Sequence, residues 1–125
     1  MHKAAIVVLA DPKSGSEEAL GRLFNALAAA YDFKQQNIPV TVLFQGTGTR
    51  WAGELANKEH PAYQLFAGVK DTVAGVSRGC ADVFGARDGA VACGLDLIGE
   101  NAVPNTSGLP SLARLVGDGY TVLTF

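Results

Sequence analysis

The chain has 125 residues, 48% of them hydrophobic, and a formal net charge of −2. That length favours one domain spanning residues 1–125 with a real core, and that apolar content argues against disorder. Lys and Arg are scattered singly, without a basic patch for phosphate neutralisation, so nucleic acid is not an expected partner.

The first apolar run, Ala4 to Ala10, is too short to span a bilayer, and Asp11-Pro12 interrupts it before a signal-peptide pattern can form. No membrane association is expected, and the chain reads as soluble and cytoplasmic. Its two cysteines would then stay as thiols. The run is β-branched and nearly continuous, which predicts a strand buried on both faces, as in a parallel sheet. A loop follows. Ser14 and Glu17 have capping-box spacing, and Glu17 and Glu18 suit a helix N-terminus. Leu20, Leu23, Phe24, Leu27 and Tyr31 then mark one face of a long helix, ended by Asn37 and Pro39.

Val40 to Gln45 predicts a second buried strand. Gly46-Thr47-Gly48-Thr49 turns the chain into a helix from Trp51 to Lys58, broken at His60-Pro61 and resumed over Ala62 to Phe66. Thr72 to Ser77 is the third strand. One or two short helices run from Cys80 to near Gly94, and Leu95 to Gly99 is a short fourth strand. After the polar loop Asn101 to Gly108, a helix over Leu109 to Val116 leads to a closing strand, Tyr120 to Phe125. Strands alternating with helices imply right-handed crossovers, a mostly parallel sheet and helices on both faces.

Ligands of such sheets gather beyond the carboxyl ends of the strands. Three segments leave the sheet there: Asp11 to Ser16, Gly46 to Arg50, and Ser77 to Cys80. If Cys80 opens the third crossover helix, its sulfur sits near unpaired backbone N–H groups that favour the thiolate. Arg78 adds positive charge and Gly79 leaves the sulfur open, whereas Asp82 works against ionisation. A thiolate there can attack a disulfide or persulfide, or carry sulfane sulfur. The competing reading is that Cys80, like most free cysteines, is a small buried hydrophobe. Cys93, in apolar company near a helix end, is expected to pack rather than react, and the sequence leaves a Cys80–Cys93 disulfide open.

Gly46, Thr47, Gly48 and Arg50 can meet an anion through backbone N–H groups and the guanidinium, or can simply form a turn. They lack a third fingerprint glycine and a Walker lysine. Trp51 lines a pocket or an interface, or caps the core. His60 is placed as a surface residue, Asp11 as a turn starter, and Ser14 and Ser16 as caps; no GxSxG occurs. No metal site is suggested by the spacing of His2, His60, Cys80 and Cys93, and no cofactor is expected.

In order, length and segment character, "KAAIVVLADP", "VTVLFQGTGTRW", "VAGVSRGCADVFGA" and "LARLVGDGYTVLTF" together resemble the DsrE/DsrF-like sulfur-relay family over nearly the whole chain. The resemblance implies an α/β fold, a three-layer α/β/α sandwich on a five-stranded, largely parallel sheet, and assembly into trimers or hexamers. It also implies that a cysteine after the third strand accepts persulfide sulfur from a donor protein and passes it to an acceptor; the matching position is Cys80. The alternative is a non-catalytic subunit of the same fold, binding a small ligand or serving a structural role.

Overall fold

The computed structural model describes residues 2–125. Its organising element is β1 (Ala4–Val8), in which all five residues are buried. β1 pairs in parallel with β2 (Val40–Phe44) on one side and with β5 (Thr121–Thr124) on the other. β3 (Val73–Ser77) extends the sheet beyond β2, and β4 (Leu97–Ile98) forms its far edge. The strand order is β4-β3-β2-β1-β5, and every neighbouring pair is parallel.

The order explains the layers. From β1 to β4 each crossover advances one strand in the same direction, which with right-handed connections stacks the intervening helices on one face. These are α1 (Glu17–Gln35), α2 (Trp51–Leu55), α3 (Tyr63–Val69), α4 (Arg78–Val83) and α5 (Arg87–Cys93). The last crossover runs back past three strands to β5, so its helix α6 (Leu112–Gly117) lies on the opposite face. The result is an α/β three-layer sandwich with unequal outer layers. Ile6, Val8, Val42, Phe44 and Val76 enter the main core with Leu23, Leu27, Leu55 and Phe66 from the helices. The alternate residues Ala5, Val7 and Leu43 point the other way and are also buried. α6 itself contributes no buried residue.

Several local expectations shift. The cap of α1 is Ser16, whose Oγ accepts from the Glu18 N–H, not Ser14, which ends a 3₁₀ turn over Pro12–Ser14. α1 buries Ala19, Leu23, Ala26, Leu27 and Ala30, while Tyr31 is exposed. The small alanines face the sheet because they let the helix approach closely; the apolar periodicity alone favoured the bulky neighbours. The helix expected from Leu109 begins at Leu112, because Leu109 forms an antiparallel bridge with Asn101 and Ser111 supplies the cap. The helix expected over Trp51 to Lys58 stops at Leu55, and the next starts at Tyr63. Among the described residues no helix is long and apolar enough to cross a membrane.

Two glycines test the packing with opposite signs. A Cβ on Gly48 would stand 2.2 Å from the Val8 carbonyl oxygen, in the backbone of β1 itself, whereas a Cβ on Gly21 in α1 meets nothing within 4 Å. Gly48→Ala should lower unfolding free energy by about 1–3 kcal/mol through overpacking. Gly21→Ala should raise it by roughly 0.5–1 kcal/mol through helix propensity. Denaturant midpoints at constant m-value check both.

Candidate functional site

The rim of the sheet is built where β1, β2 and β3 end. β2 leaves through Gln45 into a 3₁₀ turn over Gly46–Arg50, which packs against α4 and β3. This contact brings the Gly-rich turn and the cysteine segment together at the carboxyl edge of the sheet. The turn is held from inside the chain. Thr47 Oγ1 donates to the Leu9 carbonyl (3.2 Å), Thr49 Oγ1 to the Gly46 carbonyl (2.7 Å), and the Gly48 N–H to the Gln45 carbonyl (2.9 Å). Gly46 has φ +58°, a conformation that glycine adopts readily. Gly48 is buried against β1.

Arg50 spans the rim. Its Nη1 pairs with Asp11 Oδ2 at 3.1 Å, its Nε donates to the Phe84 carbonyl at the end of α4 (3.2 Å), and its guanidinium lies 5.6 Å from the Phe84 ring centre. Asp11 is held below the ordinary carboxyl range, first by the Lys13 N–H and then by Arg50. Trp51 is buried, with Nε1 donating to the Ala10 carbonyl at 2.8 Å and His60 edge-on at 6.0 Å. Trp51 therefore shapes the rim by fixing the exit of β1, not by lining a cleft. His60 Nδ1 accepts from the Ala62 N–H in the turn before α3.

Cys80 is half-buried and lies in the first turn of α4, which begins two residues earlier than the sequence suggested. The helix starts at Arg78 because Ser77, fully buried at the end of β3, is its N-cap, with Oγ accepting from the Cys80 N–H at 3.3 Å. The Gly79 N–H donates to the Gly108 carbonyl at 2.7 Å. The Gly79 and Cys80 N–H groups are thus already engaged. Arg78 is likewise committed: its Nε donates to the Ser107 carbonyl at 2.8 Å and its Nη2 to the Gly99 carbonyl at 3.4 Å. The segment Asn105 to Gly108 therefore lies as a strap on the start of α4.

A second tie fixes the strap. Asp82 accepts two hydrogen bonds from Arg87, at 2.8 and 3.1 Å, and a short one from Ser107 Oγ. These bonds, from Arg87 first and Ser107 second, hold the Asp82 carboxyl down at about 2. Asp82 thus works less as the thiol's electrostatic opponent foreseen from sequence than as the anchor between α4, α5 and the strap. Ser77 was legible as a cap-type residue three positions before the cysteine. The Asp82–Ser107 tie spans 25 residues and leaves no local signature.

Cys93 is buried at the end of α5, where desolvation pushes its thiol pKa up. Both cysteines are free thiols. Gln45 is buried beside the rim with its Nε2 lacking a hydrogen-bond partner. Among the described residues no three of His, Cys, Asp and Glu converge as metal ligands. A cleft of about 250 Å³ opens at the other end of the rim, between the exit of β1 and the start of α1, bordered by Asp11, Ser16, Glu18 and Arg22.

Fold and rim together define a small α/β three-layer sandwich with a half-buried free thiol in the first turn after its third strand. The DsrE/DsrF-like family model matches residues 2–125, and the chain belongs to this family. No curated protein and no solved structure gives a match to the chain.

The Asp82 anchor has a pH signature. Its folded-state value of about 2 lies below the ordinary 3.8, so the ionised form is favoured by folding. The stability it contributes is fully present above about pH 4 and is lost as pH falls through about 2. Asp82→Asn should flatten the fall in thermal midpoint between pH 4 and pH 2. Some slope should remain, because Asp11 and Asp71 are also held low.

Proposed function

We propose that this DsrE/DsrF-like protein carries sulfane sulfur as a persulfide on Cys80 in an intracellular sulfur relay. The observation that supports the reading best is the placement of Cys80: a half-buried free thiol, on the first turn of α4, at the carboxyl rim of a parallel sheet. Membership of the family adds to it. Loading proceeds by attack of the Cys80 thiolate on the outer sulfur of a donor persulfide. A new S–S bond joins that sulfur to Cys80, the donor's S–S bond breaks, and the donor leaves as a thiolate with the bonding pair. Discharge is the same exchange in reverse sense: an acceptor thiolate takes the outer sulfur and Cys80 departs as a thiolate. No cofactor enters either step. The Gly46–Arg50 turn and Trp51 set the shape of the rim against which donor and acceptor proteins would dock.

Trypsin separates the two thiols, since Gly79–Arg87 carries Cys80 and Asp88–Arg114 carries Cys93. After incubation with a persulfide donor, a gain of one sulfur atom, removable by cyanide, is expected on the Cys80 peptide alone and is expected to vanish in Cys80→Ser. A correctly folded protein that gains no such sulfur would rule the relay reading out.

The chain's own layers favour a homo-oligomer as the working form, with the trimer or hexamer implied by the family. α6 buries none of its residues within the chain and presents Leu112 and Val116. Beside it β5 is an edge strand whose Val122 and Leu123 are only half-buried. Covering this apolar strip by a second copy removes both the exposed surface and the open edge. Light scattering should return a multiple of 13.0 kDa. Val116→Glu should shift the mass toward the monomer.

A further inference from the structure

We propose that the hollow between α2, α3 and α5 is a binding site for a small carboxylic acid whose apolar body is about the size of a single ring, with Lys58 and Lys70 receiving the carboxylate. The inference is independent of the relay reading, because the hollow lies away from the Cys80 rim. It is bordered by the ends of α2 and α5 and by one side of α3, and α3 and α5 end where the chain turns to enter β3 and β4 at their amino ends.

The hollow has a volume of about 250 Å³. Its floor is apolar, since Leu55 of α2 and Phe66 of α3 are both buried there. Around the mouth stand Ala56, Ala67 and Ala92, all exposed. Each ends in a methyl group where a longer side chain would close the space. An apolar cavity of about 150 Å³ admits benzene. The larger volume here has room for a ring bearing an acid group, and it falls short of the range usual for larger ligands, which begins at roughly 300 Å³.

The charged groups at the mouth have one sign. Lys58 and Lys70 border it together with Tyr63, and among the described residues no carboxylate does. Asp71, next to Lys70 in the chain, is paired with Lys34 at 2.8 Å. Among the described residues neither Lys58 nor Lys70 forms an ion pair of its own. Lys70 is also held in place: its Nζ donates to the Cys93 carbonyl at the end of α5, at 3.0 Å, and an ammonium has further N–H donors for a second acceptor. A cation already positioned loses less freedom when it binds. The chain as a whole is slightly acidic, with a net charge of −2, so a mouth bordered by two lysines is a local reversal of sign. An anion with a hydrocarbon body matches both the lysines and the floor; a cation or a wholly apolar molecule matches one of them at most.

Titration of the full chain with benzoate, followed through its amide NMR shifts, tests the site. Benzoate at millimolar concentration should move the Lys70, Cys93 and Gly94 amides in a saturable way and leave the amides of the Cys80 rim where they are. Benzamide keeps the ring without the charge, and acetate keeps the charge without the ring. Each should bind at least about tenfold more weakly than benzoate. Lys58→Met and Lys70→Met should each weaken benzoate by about tenfold, the worth of one charge-assisted contact. Lys70→Met also removes a bond at the end of α5, so Ala67→Leu supplies a test that leaves that bond intact. It fills the hollow from an exposed position on α3 and should abolish the shifts without lowering the thermal midpoint. The proposal is overturned if benzoate gives no saturable shift at the three amides, or if benzamide or acetate binds as well as benzoate. Undiminished benzoate binding in Lys58→Met or in Ala67→Leu overturns it equally.

Discussion

The structure depends on the burial of β1 on both faces. A strand with five consecutive buried residues needs parallel partners on each side and a layer above and below, since its backbone groups must be paired and its side chains covered. That requirement sends the chain out and back across the sheet. It places the exits of β1, β2 and β3 side by side and puts a turn, a helix start and a thiol at one rim. Gly48 shows how tightly this is drawn, because its Cα approaches the β1 backbone where even a methyl group would collide.

From the same constraint comes the inequality between the outer layers. Five helices share one face, and the single helix of the last crossover lies on the other. The thickly clad face holds the large core residues; the thinly clad one keeps apolar side chains at the surface of α6. The strap is part of this last crossover, so the segment that returns the chain to β5 also crosses the first turn of α4. The Cys80 rim is thus completed by residues distant in sequence.

Much of this was legible in the chain. The alternation of apolar runs and helical segments reads directly as a parallel α/β sheet, because a doubly buried strand cannot alternate polar and apolar residues. The αL glycine at Gly94 marks the end of α5 as a glycine should, with φ +73°. Cys80 and the Gly46–Arg50 turn could be placed on one rim from topology alone, since both leave strands of a parallel sheet at their carboxyl ends. Tyr31 misled because periodicity counts apolar character, whereas the helix–sheet contact selects for small size at Ala26 and Ala30. The open amide groups around Cys80 could not be assessed from sequence. Whether a helix start is free depends on what else crosses it, and Gly108 lies 29 residues beyond Gly79 with nothing local to announce the bond.

The two sulfurs differ in a way that limits what the molecule can do alone. Cys93 is sealed at the end of α5 with its ionisation suppressed by burial, so it is a poor nucleophile toward any oxidised or sulfur-loaded form of Cys80. The chain carries no other cysteine. On the proposed relay reading, a cargo on Cys80 therefore has no internal exit, and its discharge needs a thiol from outside the chain.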